Sequence, residues 1–285
     1  QMGITAKPAG KNRFRILWMP CFILRQDNRK KNISMRTQYF KEYSPAIGRE
    51  MEWKVYGHGG RPVLYIPCQD GRFFDFEDFH MTDVWAPWID AGQVCVFSID
   101  TIDRETWSDT WGNAEYRSQL YENWIRYITD EMVPFIRKMV NEMNGWTGYP
   151  DIIAFGCSLG AAHAANLYFR RPDLFDGLLA LSGVYSAEYG FGTFMNDLVY
   201  QNSPVHYLSN MPYDHPYIQL YNKKKAIICT GQGPWEQPEY TRQLDRILHA
   251  KGINAWVDYW GYDCSHDWPW WYKQVTYFVP YLLNV

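Results

Sequence analysis

The feature that most constrains this 285-residue chain is Gly156-Cys157-Ser158-Leu159-Gly160. The apolar run Asp151–Phe155 leads into it, and a stretch rich in small residues (Ala161, Ala162, Ala164, Ala165) leaves it. The bare pattern G-x-S-x-G arises by chance roughly 0.1 times in a chain of this length, so its context has to carry the argument. A buried strand turning at once into a helix forces the middle residue into a strained backbone conformation. Its neighbours must then be tiny, and the serine hydroxyl projects above the carboxyl edge of a sheet, at the start of a helix. The other reading of the same residues is a glycine-rich turn with an idle serine.

The rest of the chain alternates in the same manner. Strands are expected at Arg36–Tyr43, Arg49–Tyr56, Pro62–Pro67, Gln93–Ser98, Asp151–Phe155, Gly177–Ser182, Lys225–Thr230 and Asn254–Trp260. Helices are expected at Val84–Ala91, across Ala114–Met143 with a kink or break at Pro134, from the serine turn to about Arg170, and at Tyr240–Lys251 and Trp268–Leu283. Continuous Val/Ile/Leu-rich strands separated by helices mean a mostly parallel sheet covered on both faces, an α/β fold. The pattern predicts one domain over residues 35–285. Residues 184–223, rich in Tyr, Asn and Pro, are too long for an ordinary connection. They read as a lid-like insertion over the top of the sheet, or else as a peripheral insertion with no ligand role.

Residues 1–34 differ in character. They hold eight Lys/Arg and one acid, a net +7, which leaves −10 for the remainder of a chain whose total is −3. The expectation is a basic N-terminal extension outside the catalytic domain, with Met35 as a natural start; the alternative is a surface-binding basic arm. Its apolar run Ile16–Leu24 is followed by Gln26-Asp27-Asn28-Arg29-Lys30-Lys31, without a small-residue cleavage site. The balanced charge argues against a nucleic-acid partner, and no apolar run approaches the ~20 residues that span a bilayer. The six cysteines (21, 68, 95, 157, 229, 264) form no CxxC pair. They read as free thiols, and with no clear secretion signal in the run Ile16–Leu24 the expected location is the cytoplasm. Oligomeric state is not legible.

A nucleophilic serine needs a base. In strand–turn–helix nucleophile enzymes the order along the chain is nucleophile, acid, base, with the base after the last strand. Of the seven histidines, that order excludes His58, His80 and His163. His249 falls inside a helix, and His206 and His215 fall in the insertion. His266 stands between the last strand and the last helix, where Ser265-His266-Asp267 would otherwise be read as a capping loop. The acid should follow the strand ending at Thr230, where Glu236 and Glu239 are available. Glu236 is nearer the strand end and is the preferred choice; Glu239 would alternatively place its charge at the next helix N-terminus. Two backbone N–H groups are needed for an oxyanion: that of Leu159, and one from Cys68-Gln69-Asp70-Gly71, with Gln69 preferred over Cys68.

These residues resemble the α/β-hydrolase fold, and within it the putative-esterase family that includes esterase D, feruloyl esterases and the antigen 85 mycolyltransferases. The resemblance runs over about residues 36–285. It rests on IPCQDGRFFDFED at 66–78, GCSLG at 156–160, Phe175-Asp176-Gly177 with Leu181-Ser182-Gly183, and SHDWPWW at 265–271. It puts the family's serine, acid and histidine on Ser158, the Trp235-Glu236 region and His266. An extra residue in the acid loop departs from the family and keeps Glu239 open. The resemblance implies hydrolysis of carboxylic esters or thioesters, or acyl transfer, with neither metal nor organic cofactor. A small-molecule ester, short-chain or aromatic in its acyl part and with carbohydrate esters among the candidates, is the expected substrate. An S-formylglutathione hydrolase-like thioesterase and an acyltransferase are the enzymatic rivals, and a catalytically silent binding protein is the reading from another class. Trp107, Trp111, Trp235, Trp268 and Phe73 are the aromatics expected near the cleft.

Overall fold

The computed structural model of the chain describes residues 35–284. The basic segment 1–34 lies outside the described residues. Eight strands run β1 Thr37–Ser44, β2 Arg49–Tyr56, β3 Arg61–Ile66, β4 Val94–Ile99, β5 Ile152–Cys157, β6 Phe175–Leu181, β7 Lys225–Thr230 and β8 Trp256–Tyr259. They form one sheet in the order β1-β2-β4-β3-β5-β6-β7-β8. The pairs from β4 through β3, β5, β6 and β7 to β8 are parallel; β1 and β2 are antiparallel to each other, and β2 is antiparallel to β4.

The central strands are buried on both faces, which is why they read as continuous apolar runs. Along β5, Ile152 and Ala154 face one apolar layer, while Ile153, Phe155 and Cys157 face the other. The first layer is completed by the helices Ala114–Arg126, Val133–Asn144, Leu159–Arg170 and Pro238–Lys251; the second by Met81–Asp90 and Trp268–Leu283. Pro134 does interrupt the helical stretch after Ala114. The chain takes a wide π-turn at Tyr127–Met132 and restarts as Val133–Asn144 with the proline in its first turn. The backbone stays helical through this junction, and the widened turn before Pro134 is where the helix accommodates a residue that has no N–H to donate.

Residues 184–223 fold as four short helices, Glu188–Phe191, Asp197–Gln201, Pro204–Asn210 and Pro216–Tyr221. Val199, Val205, Leu208, Ile218 and Tyr221 are buried in the first apolar layer and anchor the segment there, while much of the rest is exposed or half-buried. Only its start reaches the carboxyl edge of the sheet. That start is tied down by buried Arg117, which donates to Thr106 O (2.7 Å) and Gly190 O (2.5 Å) with its guanidinium over the Phe191 ring.

Candidate active site

Ser158 sits between β5 and the helix Leu159–Arg170 with φ +56° and ψ −128°. A non-glycine residue there carries strain on the order of 1–3 kcal/mol, which the surroundings must hold in place. Both flanking glycines are required by close approach. A Cβ on Gly156 would collide with the backbone of Gly160, and one on Gly160 with the carbonyl oxygens of Ile66 and Pro67. The Ser158 N–H is used by Leu181 O of β6 (2.9 Å). The Leu159 N–H, at the helix start, donates to no group among the described residues.

His266 comes from the loop between β8 and the last helix. Its Nε2 lies 2.9 Å from Ser158 Oγ and its Nδ1 3.2 Å from Glu236 Oε2. The imidazole stands edge-on to Trp271, with centroids 5.0 Å apart. Asp267 caps the following helix by accepting from the Trp268 N–H (2.8 Å), so one loop both caps the helix and presents the histidine.

The Glu236 side chain is 1% exposed. Oε1 accepts from Ser182 Oγ (2.6 Å) and the Gly231 N–H (3.1 Å); Oε2 accepts from His266 Nδ1–H and Thr230 Oγ1 (3.3 Å). Burial pushes its carboxyl up, but the hydrogen bonds from His266 and Ser182, the charge of His266 and the Gly231 N–H outweigh burial and hold it below the usual glutamate value. An ionised Glu236 accepts the hydrogen bond from Nδ1–H, which keeps the proton on that nitrogen and leaves Nε2 free to accept from Ser158. Glu239 points elsewhere: 69% exposed, it pairs with Arg246 at 2.7 Å.

A folded-state carboxyl with a depressed pKa binds its proton less readily than the unfolded chain does. Its contribution to stability is therefore complete above the ordinary glutamate value near 4.5 and vanishes as pH falls through its own lowered value. Wild type is accordingly expected to melt above Glu236→Gln at pH 7, with the gap closing as pH falls below the ordinary glutamate value; a gap that widens in acid would contradict the ionised state of Glu236.

The loops carrying Glu236 and His266 are joined along their backbones. Gln232 N–H donates to Gly261 O (3.2 Å), Gly233 N–H to Cys264 O (2.8 Å) and His266 N–H to Pro234 O (3.0 Å). Trp235 adopts φ +66°, and this left-handed turn swings Glu236 inward.

Gln69, after β3, lines the same cleft; Cys68 does not. The Gln69 side chain is pinned, donating from Nε2 to Ser108 Oγ (2.8 Å) and accepting at Oε1 from Tyr189 OH (2.9 Å). The cleft measures about 240 Å³ and is lined by Gln69, Leu159, Tyr189, Trp235 and Tyr240 around Ser158 and His266. Of the five aromatics expected there, only Trp235 lines it, 89% exposed. Trp107 and Phe73 are buried in packing, Trp268 stacks on Phe79, and Trp111 is 98% exposed away from the cleft. Tyr189 and Tyr240 take their place. Sequence reasoning also missed Ser182, Thr230 and Trp271. Ser182, with φ +55°, accepts from Trp271 Nε1 (3.0 Å) while donating to Glu236. The signal for it was a serine next to a glycine at the end of the strand beside the nucleophile's.

A doubly covered, mostly parallel sheet with a serine on a strained turn at the end of its β5 strand defines the class of α/β-hydrolase-fold serine esterases. The chain belongs to the family described as "Putative esterase", whose model matches residues 44–282. It is therefore a carboxylic ester hydrolase. No curated protein matches its sequence. Its fold is similar to that of a ferulic acid esterase from Anaeromyces mucronatus (12% identity, 90% of this chain and 94% of that one, TM-score 0.65). It is also similar to an S-formylglutathione hydrolase from Agrobacterium tumefaciens (13% identity, 88% and 98%, TM-score 0.65). A third similar structure is MPT51 of Mycobacterium tuberculosis (13% identity, 88% and 99%, TM-score 0.60).

Proposed function

We propose that Ser158, His266 and Glu236 are nucleophile, general base and orienting acid of an esterase acting through an acyl-enzyme. The observation that carries this reading is the continuous chain of hydrogen bonds Ser158–His266–Glu236 at 2.9 and 3.2 Å. His266 Nε2 takes the Ser158 proton as Oγ attacks the acyl carbonyl. The N–H groups of Leu159 and Gln69 receive the developing oxyanion. His266 then protonates the leaving alcohol, and water cleaves the acyl-enzyme by the same steps. Glu236 holds the imidazole tautomer and stabilises the imidazolium without itself taking a proton.

The substrate is a small-molecule ester with a short or aromatic acyl group. The small cleft supports this, as do Gln69, Tyr189, Gln237 and Tyr240, which give it polar walls. Free Cys68, Cys95, Cys157, Cys229 and Cys264 support placement in a reducing compartment, the cytoplasm.

The test is turnover of p-nitrophenyl esters from acetate to octanoate. Rates are expected to be highest on acetate and to fall toward octanoate. Glu236→Gln is expected to lower turnover by about 10²–10⁴-fold, while Glu239→Gln stays near wild type; the reverse pattern would move the acid to Glu239. Failure of wild type on every ester, with turnover of a thioester panel, would make the protein a thioesterase.

A further inference from the structure

The mechanism above leaves a fully buried acid–imidazole pair unused. Asp103, in the short turn after β4, is 2% exposed, and His163, on the helix that starts at Leu159, is completely buried. Asp103 Oδ1 accepts from His163 Nε2–H at 2.9 Å. The imidazole is fixed on its other side, where Tyr121 OH donates to Nδ1 (2.8 Å), and the rings of Trp124 and Trp107 pack on it at 5.1 and 5.5 Å. The second carboxylate oxygen faces a different element: Asp103 Oδ2 accepts from the Asp70 N–H at 3.4 Å. Asp70 has φ +60° and directly follows Gln69.

We infer that Asp103 is a positioning residue: its carboxylate spans the nucleophile helix and the Gln69–Asp70 turn, and so sets the gap between the two N–H donors that receive the oxyanion. The inference rests on Leu159 and Gln69 being those donors. His163 lies one helical turn beyond Leu159 and on the same face, so its position fixes that of the first donor. On the other side, the Asp70 N–H belongs to the peptide that begins at Gln69. Anchoring it restrains the left-handed turn that aims the second donor. The turn is held from outside as well, since Ser108 Oγ donates to Asp70 Oδ1 (2.7 Å) and accepts from Gln69 Nε2.

Stability alone does not call for such a pair. Replacing both members of a buried hydrogen-bonded pair by well-packed apolar groups is often neutral or stabilising. What apolar groups cannot supply is an acceptor that fixes the Asp70 N–H relative to the helix.

The test compares an aryl ester with the thionoester bearing the same leaving group. Negative charge developing on sulfur gains little from donors placed for oxygen, so the ester-to-thionoester ratio of kcat/KM reports donor alignment. Asp103→Asn is expected to lower kcat on the ester about 10- to 100-fold with KM nearly unchanged. The thionoester rate should fall much less, so that the ratio drops about tenfold or more. The double variant Asp103→Leu/His163→Phe removes the pair without leaving a buried charge, and its ratio is expected to drop likewise. Equal losses on both substrates, or unchanged ester kinetics, would reduce Asp103 to a structural role and overturn the inference. A wild-type ratio near one would instead defeat the assignment of the two donors, independently of Asp103.

Discussion

Ser158→Ala is expected to reduce ester turnover by about 10⁴–10⁶-fold while leaving the melting temperature within a degree or two of wild type. The loss is large because no neighbouring group can replace the hydroxyl. Cys157 is next in sequence, but it faces the opposite apolar layer, and burial pushes its thiol well above the ordinary range. Cys68, at the end of β3, is likewise raised by burial. A thiol that stays protonated is a poor nucleophile. The fold is insensitive because alanine keeps the same Cβ at the same left-handed φ, so strain is neither added nor relieved. His266→Ala should lose about as much turnover. The double variant should lose little more, since nucleophile and base act as a unit. Steady-state kinetics on p-nitrophenyl acetate decide the matter: undiminished turnover in Ser158→Ala would remove the serine mechanism.

The second large effect is on folding. In most helices Gly→Ala is stabilising by up to about 1 kcal/mol. Gly160→Ala should do the opposite, costing about 3 kcal/mol or more. The added methyl would land on the carbonyl oxygens of Ile66 and Pro67 at the end of β3. Neither side can yield cheaply. β3 is hydrogen-bonded between β4 and β5, and the helix Leu159–Arg170 is buried along nearly its whole length. A helix pushed off β3 would also carry away the Leu159 N–H, so activity should fall with stability. Urea unfolding measures the effect, and a Gly160→Ala protein as stable as wild type would show that the helix is not seated against β3.

The sequence revealed different parts of this molecule unequally. Central strands were legible because parallel strands covered on both faces are apolar throughout; β5 and β7 lie within one or two residues of expectation. The antiparallel placement of β2 against β4 has no local signature. The meeting of Ser158 with His266 was legible because each stands at a junction between elements at the same edge of the sheet. The choice between Glu236 and Glu239 was only a preference, because it turns on the positive φ of Trp235, and tryptophan is not a residue from which a left-handed turn is inferred. Ser182 and Asp103 were hidden for another reason: each acts on a partner far along the chain, Glu236 in one case and His163 in the other. The aromatics misled because large rings near a sheet edge are as well suited to packing as to contact with a ligand; Trp107 is buried between Tyr121 and Phe191.

The backbone pairing between the 231–236 and 261–266 loops gives the site an unusual division of labour. Main-chain atoms hold Glu236 and His266 in register, so the side chains at the tips of these loops are free of that duty. Trp235 and Tyr262 both project into solvent there. Of the two, Trp235 lines the cleft, and its side chain can be exchanged to reshape the mouth while Glu236 and His266 behind it keep their alignment. The arrangement separates what the enzyme recognises from how it reacts, and leaves recognition open to change one side chain at a time.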